Sequence, residues 1–599
     1  MPIQENGRSA PEFDSPTAIL RCALWFAVLL GIGQALFATI ARLAGHLILI
    51  SPDVIWMAPM ANAVVFGFAA IGVRLITRRL DRTRANGVAL TVLVLLSLLG
   101  PFLMVHRLWP LATLTLSCGL AIQAGRMLRE RIELLDALIR RTLPWLISLC
   151  IALGLVLHLS NNGLERRAEA SLPLVAPNAP NVILIVLDTV RAQNLSLYGY
   201  QRRTSPHLDE FARNGAVFEH ALSTAPWTLP SHASFFTGRL PHELSADWST
   251  PLDATQPTIA EAFTSRGYLT AGFVGNLQYT AAVTGLNRGF IHYSDFPLSA
   301  QMLVQNSWIA REMVETIHRL TGAPDPGLRK SAVDVNHEFL AWIALHPRKP
   351  FFAFLNYFDA HAPYRAPPPI DKIFGGGVLQ PDITDRRKWS KEKIQWLIND
   401  YDGALAYLDE QVGILLDTLR ARHLLDNTIV VITSDHGEQF GEHGLFEHAN
   451  SLYRPLLQVP LVVWFPAVVP AGLRISTPVT LLNLPATILA LAGVTTASIF
   501  PGHSLTEYWN SSPHTEQPGS PLFAEVSKGL NLPDWLPVSK GPMQSVVVGG
   551  MHYIRNGDGR EELYDFLQDV AEEEDLASRP NAGAALRQAR RALDEAQHR

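Results

Sequence analysis

Cysteine is nearly missing from this chain. Of 599 residues only Cys22, Cys118 and Cys150 are cysteines, and all three lie in apolar stretches before Leu157. The rest of the sequence therefore offers no disulfide scaffold, no thiolate metal site and no cysteine nucleophile. A basic excess is missing as well: 49 Lys and Arg stand against 54 Asp and Glu, a net charge of -5. That balance leaves no electrostatic footprint for DNA or RNA, and no nucleic-acid partner is expected. Charge itself is scarce, at 17% of residues against 48% hydrophobic ones. Such a chain is too apolar for disorder and tilts toward partial membrane residence. Its length exceeds what one core holds, so at least two domains are expected.

Five runs are long and apolar enough to cross a bilayer: Cys22 to Ala41, Val54 to Val73, Val88 to Val105, Leu108 to Ala124 and Leu143 to Leu159. The first, flanked by Arg21 and lacking a small-residue cleavage site, reads as an uncleaved helix and not a signal peptide. Pro59 and Pro101 fall inside two spans, where neighbouring helices can re-satisfy the freed carbonyls. Arginines cluster between spans two and three (Arg74, Arg78, Arg79, Arg82, Arg84) and between spans four and five (Arg126, Arg129, Arg131, Arg140, Arg141). The alternate loops carry only Arg42 and Arg107. The positive-inside rule then puts the N-terminus in the cytoplasm and everything after Leu159 outside, in a periplasm or the exterior. The short Arg-rich loops point to a multi-pass protein of a cell inner membrane. His46, Asp53 and His106 sit near span ends, not at midspan, so the helices read as an anchor and not as a proton or ion path.

The expected organisation is a cytoplasmic tail over 1–17, a five-helix membrane domain over 18–160, a linker over 161–178, a catalytic domain over 179–500, a C-terminal subdomain over 501–577 and a helical tail over 578–599. The catalytic stretch opens on Asn181 to Leu187 (NVILIVL), a β-branched run of the kind buried on both faces of a parallel sheet, with Asp188 directly after it. The pattern returns at Pro350 to Tyr357, followed by Asp359 and His361, and at Asn427 to Thr433, followed by Asp435 and His436. Helical stretches such as Thr258 to Arg266 and Lys391 to Leu419 separate these runs, so a doubly wound α/β fold is expected. In such sheets ligands bind outside the carboxyl ends of the strands, where these clusters would converge.

One Asp after a strand is usually a turn or cap residue; the recurrence changes the reading. Asp188, Asp435 and His436 form an oxygen and nitrogen donor set that suits Zn²⁺ or Mn²⁺ first, with Mg²⁺ or Ca²⁺ as alternatives. The segment DHGEQFGEHGLFEH, from Asp435 to His448, contains three His and three Glu. In Ala225 to Gly238 (APWTLPSHASFFTG), Pro230 precedes a helix expected to begin near Ser231, which places Thr228 beside a helix N-terminus that attracts phosphate or sulfate. Thr228 reads equally as a nucleophile or as a helix-capping residue.

The order of strand-Asp188, TLPSHASFFTG, SDHGEQFGEHG, LYRPLLQVPLVVWFP and ELYDFLQDVAEEEDL, joined by SPHLDEFARNGAVFEHA, GYLTAGFVGN and DAHAPY, resembles the sulfatase branch of the alkaline phosphatase superfamily over about Ala179 to Leu576. The resemblance implies an α/β sandwich with a small C-terminal antiparallel subdomain, a metal-assisted site, and cleavage or transfer of sulfate or phosphate esters. Where sulfatases open a C/S-x-P-x-R motif with a Cys or Ser that becomes formylglycine, this chain has Thr228-Leu229-Pro230-Ser231-His232, and threonine cannot yield that aldehyde. Asp188-Thr189 replaces a paired Asp, and Asp435-His436 an Asp-Asn. A Thr nucleophile, an Asp-His metal pair and five membrane helices ahead of an outward domain are similar to lipoteichoic acid synthases and phosphoethanolamine transferases.

The resemblance thus implies a metal held by Asp188, Thr228, Asp435 and His436, with Thr228 as nucleophile and His232, His361 and His448 binding ester oxygens or protonating the leaving group. Asp359, His361, His443 and His448 are candidates for a second metal. The expected partners are a lipid-linked or glycan ester at the membrane surface and the membrane lipids themselves. The expected function is a metal-dependent hydrolase or transferase of phosphodiesters. The rivals are a sulfate-ester hydrolase, a non-catalytic lipid-binding or regulatory membrane protein and, weakest, a transporter.

Overall fold

A computed structural model of the protein describes residues 16–103, 109–321, 329–347, 349–376, 386–494, 499–510 and 520–597. They gather into two compact units: the described residues up to Arg166 with the stretch from Phe296, and the remainder of the chain from Arg167 onward.

The first unit consists chiefly of five long apolar helices, α1 (Pro16–Leu43), α2 (Val54–Ile76), α3 (Arg82–Leu103), α4 (Pro110–Glu130) and α5 (Ile132–Ala170), each long and apolar enough to cross a membrane. Val105, His106 and Arg107 lie outside the described residues. At 39 residues α5 outruns the expected span at both ends and turns the stretch from Asn162 to Ala170, expected as linker, into helix. The cause is local: Leu164, Glu165, Arg166, Arg167, Ala168 and Glu169 are strong helix formers, and nothing stops them before Pro173. Small and polar residues tie the helices together. Asn62 donates to Gln34 Oε1 at 3.0 Å, Arg21 pairs with Asp136 at 2.8 Å, and Trp25 donates to Thr142 Oγ1 at 2.9 Å.

The stretch from Phe296 was expected inside the catalytic domain and packs instead on the helices. Ser307 donates to Asn62 Oδ1 at 2.6 Å, Ile309 joins the core of α1, α2, α3 and α5, and the Trp308 ring meets Phe37 edge-on. These residues belong to or adjoin α7 (Trp308–Thr321), numbered after the site helix α6 (Thr228–Thr237).

The second unit is built on an eight-stranded sheet. Its strands are β1 (Asn181–Leu187), β2 (Ala216–Phe218), β3 (Leu269–Val274), β4 (His292–Ser294), β5 (Phe351–Tyr357), β6 (Thr428–Thr433), β7 (Leu461–Trp464) and β8 (Leu473–Ile475), in the order β8-β2-β7-β6-β1-β5-β3-β4. From β6 through β4 the pairing is parallel, and β7 runs antiparallel to β6. Every residue of β3, β5 and β6 is buried, as is all of β1 after Asn181, which is why these runs lack the polar alternation of a half-exposed sheet. One face is covered by α8 (Ala332–Leu345) and α9 (Lys391–Ala421), whose Phe339, Trp342, Tyr401 and Leu408 share a core with Ile183, Ile185, Phe273 and Leu355. The expected doubly wound α/β domain is present.

A four-stranded antiparallel sheet follows, β9 (Leu522–Val526), β10 (Met543–Val548), β11 (Met551–Arg555) and β12 (Glu561–Asp565). The closing helix α10 (Gly583–Gln597) lays Ala589, Ala592 and Leu593 against Val546, Tyr553 and Leu563, so the helical tail is part of this subdomain's core.

Candidate active site

Parallel register brings the site together. Leu187 pairs with Tyr357, Val186 with Thr433, and Val274 with Asn356, so β1, β3, β5 and β6 end at one level. The residues just past those ends, Asp188, Asn276, His361, Asp435 and His436, therefore share one edge of the sheet. Helix α6 supplies Thr228 to the same place. It begins at Thr228, three residues earlier than expected, because the N–H that Pro230 lacks falls among first-turn donors with no intrahelical partner in any case.

Asp188, Asp435 and His436 are fully buried and offer ligand atoms within 4.8 Å of one another. Asp188 Oδ1 and Asp435 Oδ2 are buried with no hydrogen-bond partner. Burial, opposed by the Asn276 hydrogen bond, pushes the Asp188 carboxyl up to about 6. Burial and then the Asp188 charge push Asp435 well above the usual carboxylate range. Two carboxylates with bare oxygens facing an imidazole are costly to bury unless a cation joins them, so the donor set fits a divalent metal. His436 suits the same role. Its Nδ1 donates to the Gly437 carbonyl at 2.9 Å, which leaves Nε2 as a lone pair directed at the cluster. Burial holds this imidazole neutral, well below its ordinary pKa.

Thr228 Oγ1 lies 3.3 Å from His436 Nε2 and 3.5 Å from Asn276 Nδ2. The N-cap of α6 is Trp227, and the Thr228 hydroxyl faces the cluster, so the capping reading of this threonine does not hold. Asn276, unassigned in the sequence, is a linchpin: it donates to Asp188 Oδ2 at 2.9 Å, and its own Oδ1 accepts the Gln278 and Tyr279 N–H groups. Its position, two residues after the last residue of β3, was the available signal.

The histidines divide. His448 donates from Nδ1 to the fully buried Glu438 at 3.0 Å. Burial alone would lower it, but the Glu438 charge and hydrogen bond lift it to about 9, so it is an imidazolium at neutral pH. Its ring lies 4.5 Å from that of His436 and 5.0 Å from that of His361. His361 stacks on Phe358 and donates to the Ala362 carbonyl; burial and then the His448 charge keep it neutral. Glu438, also unassigned in the sequence, is held from its other oxygen by the Tyr364 hydroxyl at 2.8 Å.

His232, expected to bind ester oxygens or protonate the leaving group, lies beside the cluster, its Nδ1 3.5 Å from Asp435 Oδ2. Its Nδ1 donates to the Thr228 carbonyl at 2.8 Å, its ring packs among Phe235, Phe236 and Phe354, and burial pushes its pKa down to about 3. Its contact with Thr228 is through the backbone carbonyl. The second metal set is not assembled among the described residues. His443 stacks on Tyr453 at 3.6 Å, and Asp359 accepts the Ala332 N–H at the start of α8, so neither joins His361 and His448.

Relatives carry the same domain. The chain is 25% identical to the choline-sulfatase of Rhizobium meliloti over 448 residues, which span 67% of this chain and 83% of that protein. It is 26% identical to arylsulfatase K of Homo sapiens over 393 residues, 60% of this chain and 70% of that protein. Among solved structures, the phosphonate monoester hydrolase of Silicibacter pomeroyi superposes with a TM-score of 0.55 at 21% identity, covering 70% of this chain and 95% of that one. The corresponding hydrolase of Agrobacterium radiobacter gives 0.56 at 19% identity, covering 70% and 96%. A model of the family described as Sulfatase matches residues 180–494, a stretch that takes in every residue of the cluster from Asp188 to His448, and on that match the chain is an enzyme of the sulfatase family.

Proposed function

We propose that this protein is a membrane-anchored, metal-dependent hydrolase or transferase of phosphate diesters, with Thr228 as its nucleophile. The observation that carries the reading is the Thr228 hydroxyl set against His436 and Asn276 beside two carboxylates with unpaired oxygens, in a domain with no cysteine. Sulfatases and a phosphonate monoester hydrolase are its relatives and structural neighbours, so sulfate and phosphorus esters both lie within the chemistry of the fold. Asp188, Asp435 and His436 would hold a divalent cation, of which Zn²⁺ or Mn²⁺ suits the donors best, and it would supply Lewis-acid neutralisation of the ester's charge.

The chain's own residues supply the rest. Asn276 fixes both Asp188 and the Thr228 hydroxyl, and His232 anchors the backbone of Thr228, so the nucleophile is pre-positioned. Thr228, its hydroxyl proton given up to solvent before attack, would form the Oγ–P bond as the ester P–O bond breaks. His448, kept protonated by Glu438, would hand its proton to the departing alcohol. A water would then release the phosphate monoester from Thr228, or an acceptor alcohol would carry the phosphoryl group away as a new diester.

A substrate panel on the full-length protein tests the reaction class. With added Zn²⁺ or Mn²⁺ the expected order is phosphodiester, then phosphomonoester, with sulfate esters last; turnover of sulfate esters alone would replace the phosphoryl reading with a sulfatase one. For the anchor, a phosphatase reporter fused just after the last span is expected to be active and a cytoplasmic reporter silent. The reverse pattern overturns the outward orientation.

A further inference from the structure

The five-helix unit contains a cavity of about 690 Å³, walled by α1, α2 and α5 and by Phe296 and Leu298 at the start of the stretch that returns from the sheet. Its two ends differ. One is wholly apolar and reaches Leu24, Val28 and Ile147. The other is polar and carries Asp53, His158 and Asn161. Asp53 lies just before α2, and its Oδ1 accepts the indole N–H of Trp56 at 2.9 Å. A tryptophan at that point marks the headgroup level of a bilayer. From Ile147 to Asn161 the rise of α5 is roughly 21 Å, somewhat more than the ~15 Å hydrocarbon depth of one leaflet.

We propose that this cavity binds a phospholipid by one acyl tail, with an amine-bearing headgroup at Asp53. The inference rests on the five helices standing in a bilayer. Met60, Ile151, Leu155 and Leu298 line it as exposed apolar residues, so it is an open groove whose apolar wall an acyl chain would cover. In a bilayer the chain at hand is a lipid tail. At the rim the Asp53 carboxylate attracts an ammonium group and repels an anionic head. His158 accepts from Asn162 through Nε2, which leaves Nδ1 as a further donor at the same end, suited to the headgroup phosphate. Phe68 and Ile71 of α2 lie outside this groove.

The full-length protein in nanodiscs, doped with phosphatidylethanolamine carrying a diazirine in its tail, tests this by irradiation and peptide mapping. The expected label concentrates on Met60, Ala63 and Ile147, and excess unlabelled phosphatidylethanolamine reduces it there but not at Phe68 or Ile71. Ala63→Trp is expected to cut cavity labelling about tenfold, the loss that ~1.4 kcal/mol of affinity represents, with labelling at Phe68 unchanged. If that variant does not fold, the competition in the native protein decides alone. A phosphatidylglycerol probe with the same tail should label the cavity less, and Asp53→Asn should erase the difference. Uniform labelling of cavity and outer faces, or equal labelling by both probes, overturns the proposal. A chain that does not partition into the discs fails at the membrane reading instead.

Discussion

Thr228→Ala loses turnover by roughly 10³-fold or more, the scale on which removal of an enzyme nucleophile acts, while Thr228→Ser keeps a measurable fraction. The alanine variant should unfold at nearly the native temperature. A capping threonine would behave in the opposite way, costing about 1 kcal/mol of stability and leaving catalysis in place. In the structure the hydroxyl lies 3.3 Å from His436 Nε2 and 3.5 Å from Asn276 Nδ2, and the cap position belongs to Trp227. Serine retains the hydroxyl but lacks the methyl that narrows its rotamer choice, so a partial rate is expected rather than a full one. Mass spectrometry after mixing with a phosphodiester should find on Thr228 a phosphoryl group that still carries its second ester substituent. Normal turnover by the alanine variant would remove this residue from the mechanism.

Asp435→Asn should abolish tight divalent-cation binding and, in the metal-free protein, raise stability at neutral pH. Asp188 and Asp435 both have folded pKa values raised above the unfolded carboxylate value, Asp188 from 3.8 to about 6. The stability tied to their protonation is thus fully present below about pH 4 and is lost as pH rises through about 6 and beyond. Metal-free native protein should show a melting temperature that falls over this window, with a shallower fall in the variant. Cation at a hundred times its Kd should restore about 2.7 kcal/mol to the native protein and little to Asp435→Asn. Calorimetry with and without Zn²⁺ or Mn²⁺ reads both effects. A cation that stabilises the variant as strongly as the native chain would place the metal elsewhere.

The strands and their terminal acids were legible because burial on both faces writes a continuous apolar run, and the first polar residue after it stands out. Asp188, Asp435 and His436 could be read in this way. Asn276 could not, since an amide past Gly275 looks like a turn until the register of β3 against β5 brings it beside Asp188. Glu438 and His443 were indistinguishable within one acidic, histidine-rich segment. Backbone geometry sends them apart: Glu438 is buried against His448, while His443, at φ 55°, turns away to stack on Tyr453. The start of α6 was misplaced because Pro230 was read as a boundary, when proline is compatible with the first turn of a helix.

The return of the chain from the sheet to the helices escaped notice for a different reason. Trp308 to Thr321 is amphipathic and shorter than a span, so it reads as an ordinary surface helix, and only the Ser307–Asn62 hydrogen bond and the burial of Ile309 reveal its seat.

That return gives the sulfatase domain two tethers. Proteins with a single stalk can be shed by one protease cut; here a cut between Arg167 and Asn181 leaves the domain fastened through the stretch from Phe296, which both departs from and re-enters the sheet unit. The base of that excursion is buckled by Lys330, whose Nζ donates to the Ser294 carbonyl at 2.9 Å and to Glu338 at 2.6 Å. A soluble fragment begun at Ala179 would carry Trp308 and Ile309 without the helices that cover them, and an apolar surface so uncovered invites aggregation. Severing every covalent link between the two units takes three cuts, one in the linker and one on each side of the stretch from Phe296.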